Sequence, residues 1–80
     1  MTREEVYAKL LSVFQDVFDD RRIIINDETV STDIVGWDSL SHIQLIASIQ
    51  DEFDIEFSIE EAANLKNVGE MVDVIIRQVR

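Results

Sequence analysis

The sequence contains no cysteine, and only two of its 80 residues are glycine. The absence of cysteine excludes disulfide bonds and metal sites built on thiolates. No stretch approaches the run of about 18 apolar residues that a membrane-spanning helix needs. The N-terminal segment also lacks the apolar run of a signal peptide. We therefore expect a cytoplasmic protein that does not associate with membranes.

Positive charge is scarce as well, with 7 Lys and Arg residues against 17 Asp and Glu residues and a net charge of −10. All 7 basic residues lie outside residues 23–65, a stretch that contains only acidic charges. This balance argues against nucleic acid as a partner, because Lys and Arg must neutralise phosphates there. The acidic middle either serves solubility or steers the chain towards basic partner surfaces.

The length of 80 residues predicts one domain spanning residues 1–80. A chain of this size buries only about 60% of the surface that its unfolded form exposes. One small hydrophobic core is therefore possible, but a deep enzyme cleft is not expected. We expect a monomer.

Apolar residues recur at helical spacing in four segments, so the sequence predicts an all-α fold, a small four-helix bundle. The expected helices cover residues 3–19, 39–53, 59–65 and 68–79. Each follows a favourable N-terminal residue, either alone or in a capping pair. The N-terminal signals are Thr2 with Glu5, Asp38, Ser58, and Asn67 with Glu70. Leu45 adds a second apolar flank to helix 2, whose apolar residues at helical spacing are Leu40, Ile43, Ile46, Ala47, Ile49 and Phe53.

Residues 20–37 show no sustained period and predict a long loop between helices 1 and 2. The run from Ile23 to Ile25 would suit a short strand, but no second strand is present to pair with it. Loops of this length are uncommon unless their own side chains pack. We expect the loop to be pinned to the core by Ile23, Ile25, Val30 and Ile34.

The candidate functional site is the segment from Gly36 to Leu40, which reads Gly-Trp-Asp-Ser-Leu. If Asp38 caps helix 2, Ser39 is the first helical residue and its hydroxyl lies at an exposed helix start. Free backbone N–H groups and the helix dipole favour an anion there, including a phosphate attached to Ser39 Oγ. We expect Leu40 to point inward and anchor the turn. Taken alone, Asp-Ser-Leu needs no explanation beyond a helix cap.

In its context, the segment resembles the acyl and peptidyl carrier protein family, in which Asp-Ser-Leu opens the second helix. The likeness continues through the amphipathic first helix, the long loop, and residues 45–55, 58–62 and 67–70. The resemblance implies that Ser39 accepts 4'-phosphopantetheine from coenzyme A, with Asp38 and Leu40 completing the attachment site. It also implies a non-catalytic carrier that holds acyl groups as thioesters. The implied partners are a phosphopantetheinyl transferase and acyl-activating, ketosynthase or acyltransferase-type enzymes with basic docking surfaces.

The sequence departs from housekeeping fatty-acid carriers on the face of helix 2. Those proteins usually have acids directly after the serine, whereas this chain has Ser41, Gln44, Ser48 and Gln50. The form Gly-Trp-Asp-Ser-Leu-x-His looks more like free-standing carriers of polyketide, peptide or other specialised pathways. Two alternatives stay open, an aminoacyl or peptidyl carrier and a helical adaptor without a prosthetic group.

Six residues are candidates for partner recognition: Trp37, His42, Ile43, Ala47, Glu60 and Glu61. Trp37 is either a half-buried lid over the loop or an exposed contact. Ile43 and Ala47 belong either to the core or to an apolar docking face, while His42 is expected on the surface beside the arm.

The sequence gives little support to a catalytic role for the same segment. Ser39 and His42 are one helical turn apart, and with Asp38 they suggest a catalytic triad. However, the chain has no Gly-x-Ser-x-Gly motif and no expected pocket for an oxyanion. A metal site is not expected either, because there is one histidine and no cysteine, and the acids near residues 16–20 lack the EF-hand pattern.

Overall fold

The computed structural model describes residues 1–79, so residue 80 of the expected domain lies outside the described part. Its helices are α1 (Arg3–Val17), α2 (Ser39–Phe53), α3 (Ile59–Ala63) and α4 (Val68–Gln78), with a 3-10 turn at Ser31–Asp33. No strand occurs among the described residues, which confirms the all-α fold. The bounds of α2 match the prediction, whereas the other helices end one or two residues early. Across residues 1–79, each helix is too short or too polar to cross a bilayer.

Local hydrogen bonds explain where the helices begin and end. The Thr2 hydroxyl accepts from the Glu5 N–H at 3.1 Å, and the Glu5 carboxylate accepts from the Thr2 N–H at 2.7 Å. The same reciprocal capping occurs between Ser58 and Glu61 at the start of α3. α1 ends at Val17 because the chain turns away at Asp19, whose φ of 50° is left-handed. The local capping signals in the sequence therefore act as predicted.

A single hydrophobic core joins α1, α2 and α4, and α3 contributes no buried residue to it. Two loop residues, Ile23 and Ile34, are buried in this core, and Ile25 packs against it. The long loop is also tied to α4, since the Val68 N–H donates to the Thr29 carbonyl at 2.9 Å. The prediction of a loop pinned by its apolar residues is confirmed at these positions. The buried hydrophobic side chains of the helices are those of Val6, Leu10, Val13, Phe14, Leu45, Ile46, Ile49, Phe53, Val68, Met71, Val72, Val74 and Ile75.

The prediction for Leu40 is wrong, because its side chain is 80% exposed rather than turned inward. Ile43 is 71% exposed and Ala47 is exposed too, so neither belongs to the core. The reason is geometric, because α2 packs on the core with the side that carries Leu45 and Ile49. At about 3.6 residues per turn, the row of Leu40, Ile43 and Ala47 lies on a different side of the helix. α2 therefore carries two apolar rows, only one of which is covered. We call the exposed row Leu40, Ile43 and Ala47 the α2 apolar face.

Candidate functional site

The start of α2 is fixed by a reciprocal cap between Asp38 and Ser41. The Asp38 carboxylate accepts from the Ser41 N–H at 2.9 Å, and the Ser41 hydroxyl oxygen accepts from the Asp38 N–H at 2.8 Å. The Ser41 hydroxyl also donates to the Gly36 carbonyl at 2.7 Å, which holds the preceding turn. Asp38 is thus the N-cap residue, as predicted. Ser39 is the first residue of α2 and is exposed.

The hydroxyl of Ser39 takes no part in these capping bonds within residues 1–79. The cap keeps the adjacent Asp38 side chain ionised, because the Ser41 backbone N–H holds the pKa of Asp38 below its usual range. The Ser41 hydroxyl and the Leu40 N–H lower that pKa further. Asp38 is therefore ionised at neutral pH, at the positive end of the helix dipole. The chain presents a free hydroxyl on a rigid, capped helix start.

Trp37 is a half-buried lid over the end of α1 and the loop. Its ring meets the Phe14 ring edge-on, with 5.3 Å between centroids, and lies 6.0 Å from the Phe18 ring. Its indole Nε1–H donates to His42 Nδ1 at 3.0 Å. Of the two alternatives for Trp37, the structure therefore favours the lid over an exposed contact.

His42 is half-buried and lines a cleft beside Ser39, so its position by the expected arm agrees with the prediction while its exposure is only partial. Its Nδ1 faces Trp37, and its Nε2 lies 2.8 Å from the carbonyl oxygen of Ala62 in α3. Both ring nitrogens are thus engaged away from Ser39, which removes the geometry of a catalytic triad. Sequence reasoning missed this contact because Ala62 lies 20 residues further along the chain.

An open cleft of about 460 Å³ lies beside Ser39, between the loop, the start of α2 and the α3–α4 connection. Trp37 and His42 form one wall of this cleft, while Leu65 and Met71 supply apolar lining elsewhere. Lys66 is the one basic residue of the lining. A flexible group attached at Ser39 would therefore have an adjacent partly apolar surface.

The two acidic candidates on α3 are not equivalent. Glu60 is exposed, whereas the Glu61 carboxylate accepts from the Ser58 N–H at 3.0 Å and from Arg77 at 3.4 Å. Glu61 is thus engaged within the chain. Within residues 1–79, no group of three or more His, Cys, Asp or Glu side chains is placed to hold a metal ion.

Residues 8–75 match the family model described as "Phosphopantetheine attachment site". Among curated relatives, the mitochondrial acyl carrier protein of Saccharomyces cerevisiae is 32% identical over 80 residues, covering 94% of this chain and 63% of the relative. The chain therefore spans less than two thirds of that relative's length. The acyl carrier protein of Clostridium acetobutylicum is 34% identical over 70 residues, covering 88% of this chain and 91% of the relative.

Two solved structures share the fold closely. The solution structure of a holo acyl carrier protein from Geobacter metallireducens superposes with a TM-score of 0.86 and 39% identity, covering 92% of this chain and 85% of that chain. A putative acyl carrier protein from Mycobacterium tuberculosis gives a TM-score of 0.80 and 30% identity, covering 90% and 96%. The chain therefore belongs to the acyl carrier protein family, non-catalytic carriers built around a phosphopantetheine attachment site.

Proposed function

We propose that Ser39 is the residue to which 4'-phosphopantetheine is attached, and that this chain carries acyl groups as thioesters on the arm. The observation that carries the proposal is the exposed Ser39 hydroxyl at the first position of capped α2. This position lies within the residues that match the phosphopantetheine attachment family. When bound, the arm supplies the thiol that a chain without cysteine lacks.

The surroundings of Ser39 suit a phosphodiester. The dipole of the 15-residue helix α2 favours negative charge at its start. The carboxylate of the adjacent residue Asp38 is turned to the Ser41 N–H. Asp38 therefore acts by positioning the helix start, and Leu40 contributes to the exposed surface rather than to an internal anchor.

The proposed partners are a phosphopantetheinyl transferase and acyl-handling enzymes whose docking surfaces are apolar with a basic rim. The exposed side chains support this chemistry, because Leu40 and Ile43 offer apolar surface and Glu60 offers an exposed carboxylate. Trp37, His42 and Glu61 are held by internal hydrogen bonds, so we assign them an indirect part in recognition. The polar rather than acidic face of α2 favours a specialised acyl pathway over housekeeping fatty-acid synthesis. A single domain, a monomeric state and a cytoplasmic location stay predictions.

Intact mass spectrometry tests the attachment. The chain, Ser39→Ala and Ser48→Ala are each incubated with coenzyme A and a broad-specificity phosphopantetheinyl transferase. We expect the unaltered chain and Ser48→Ala to gain the mass of one arm, and Ser39→Ala to gain none. Ser48 is the matched control, since it lies on the same helix. If the unaltered chain gains no arm, the proposal is wrong and the adaptor alternative gains support.

The class of cargo needs a second experiment on the chain that bears the arm. Loading is compared between a fatty-acyl-activating enzyme and an amino-acid-activating enzyme, with the thioester detected by intact mass. We expect acyl loading. Selective loading with an amino acid would instead assign the chain to the aminoacyl and peptidyl carriers.

A further inference from the structure

A continuous hydrogen-bond chain crosses the cleft wall from Trp37 through His42 to Ala62. The indole Nε1–H is only a donor, so the His42 Nδ1 that faces it at 3.0 Å must accept. The proton of a neutral imidazole then resides on Nε2, which donates to the Ala62 carbonyl at 2.8 Å. The two contacts together require one form of the ring, the neutral Nε2–H tautomer.

A second proton on His42 is incompatible with this arrangement. It would place an Nδ1–H against the Trp37 N–H, so two donors would face each other and the half-buried indole would lose its partner. His42 is the fourth residue of α2, where a positive charge also opposes the helix dipole. The contact to Ala62 would survive, because Nε2 keeps its proton. Protonation of His42 therefore breaks the hydrogen bond to Trp37 and leaves the one to Ala62 intact.

No carboxylate within residues 1–79 forms a hydrogen bond or ion pair with His42, whose ring nitrogens face Trp37 and Ala62. Asp38 and Lys66 line the same cleft with opposite charges, and the Asp38 carboxylate is turned to the Ser41 N–H. On α3, Glu61 is turned to Ser58 and Arg77, and Glu60 is exposed. Phe14 of α1 and Phe18, which follows its last residue, meet the Trp37 ring and are uncharged. From α4, the cleft residue is the uncharged Met71.

We propose that Trp37 and His42 form a pH-sensitive latch on the cleft beside Ser39, closed while the imidazole is neutral and opened when it is protonated. His42 is a positioning residue in this latch, because it acts on the cleft through the Trp37 ring. Opening releases the indole that forms part of the wall next to Ser39. The latch goes beyond attachment of the arm and does not depend on it.

The chain contains one Trp and one His, so NMR signals from both side chains are unambiguous. The experiment uses Ser39→Ala, which cannot carry an arm at that position, so its outcome is independent of the attachment proposal. Nitrogen shifts of the His42 ring and hydrogen exchange of the indole N–H are measured at pH 8 and pH 5. The exchange rate of the indole N–H is divided by the rate for the indole N–H of free tryptophan amide at the same pH. We expect an unprotonated Nδ1 at pH 8 and a roughly two- to tenfold loss of indole protection at pH 5.

His42→Gln in the same background is the matched control. Its amide oxygen can accept from Trp37 and its NH₂ can donate to Ala62, yet it does not titrate. We expect equal indole protection at both pH values in this variant. Equal protection in the parent chain, an equal loss in His42→Gln, or a proton on Nδ1 at pH 8 would each overturn the latch.

A second variant decides the matter if His42→Gln does not fold. Trp37→Phe keeps an aromatic ring but removes the indole donor, so a second proton on His42 Nδ1 no longer faces an N–H. The Ala62 carbonyl still accepts from Nε2–H, so we expect the Nε2–H tautomer at pH 8 and a larger protonated fraction of His42 at pH 5 than in the parent chain. Equal protonated fractions in the two chains would show that Trp37 does not act on the ring.

Discussion

The Gly69 N–H at the start of α4 donates to the Asp27 carbonyl in the long loop at 3.0 Å. A Cβ at residue 69 would lie 2.9 Å from that carbonyl oxygen and 3.1 Å from the Asp27 Cβ. The loop and α4 can approach this closely only because residue 69 has no side chain.

Gly69→Ala should therefore destabilise the fold, although Gly→Ala inside a helix ordinarily stabilises by about 0.5–1 kcal/mol. We expect a loss of about 1–3 kcal/mol in the free energy of unfolding, because the backbone must shift to relieve the overlap. Urea unfolding measures it, with Ser12→Ala on the exposed side of α1 as a control that changes little. A Gly69→Ala chain as stable as the parent would show that the contact is not tight.

The Asp27 side chain should make stability depend on acid pH. The Tyr7 hydroxyl and then Arg3, 2.8 Å away, hold the pKa of the Asp27 carboxylate below its usual range. A pKa lowered by folding means that ionised Asp27 stabilises the fold above the unfolded-state pKa of about 3.9. That contribution is lost as the pH falls through the lower, folded-state pKa. The advantage of the parent over Asp27→Asn in urea should thus be full at pH 6 and shrink as the pH falls below the ordinary range of an Asp pKa.

Tyr7→Phe provides the control for this explanation. It removes the largest contribution to the lowered Asp27 pKa while keeping Arg3, so the carboxyl signal in an NMR titration should move upward towards the ordinary range. An Asp27 titration that is unchanged in Tyr7→Phe would contradict the assigned cause.

Asp38 should act as a cap rather than as a specific charge. Asp38→Asn keeps an oxygen that can accept from the Ser41 N–H, whereas Asp38→Ala does not. We therefore expect a lower urea midpoint and slower transfer of phosphopantetheine for Asp38→Ala, with Asp38→Asn close to the parent in stability. Equal losses in both variants would show that the negative charge is what matters.

Ile43 and Ile46 form a matched pair on α2, one exposed and one buried at 8% exposure. Ile46→Ala should cost about 2–4 kcal/mol of unfolding free energy through the cavity it leaves. Ile43→Ala should change stability by less than about 0.5 kcal/mol. If Ile43 lies in the docking surface, its removal should lower kcat/KM of the transferase by roughly fivefold or more. Unchanged kinetics would exclude Ile43 from that surface.

Local signals made the helix starts predictable from the sequence. The bounds of α2 and the role of Asp38 depend on residues three positions apart, as in the bond from the Ser41 N–H to the Asp38 carboxylate. Such contacts form within one turn, so residue type and spacing suffice to predict them.

Contacts between distant segments were not predictable in the same way. Helical spacing links Ile43 equally to Leu40 and to Ile46, three residues away on either side. Only the packing of the other helices decides that Ile46 is covered and Leu40 is not. His42 contacts Ala62, which lies 20 residues further along the chain. Arg3 donates to Asp73 at 2.9 Å, although the two residues are 70 positions apart. Nothing local in the sequence marks these pairs. The position of Ser39 was predictable, whereas the wall of its cleft was not.

Locating the arm on the chain is the most direct test of the proposed attachment. After transfer of phosphopantetheine, trypsin should release residues 23–66 as one peptide that contains Ser31, Ser39, Ser41, Ser48 and Ser58. Fragmentation of this peptide in a mass spectrometer then identifies the modified residue. We expect the added group on Ser39 alone. An added group on another serine, or an unmodified peptide, would contradict the attachment to Ser39.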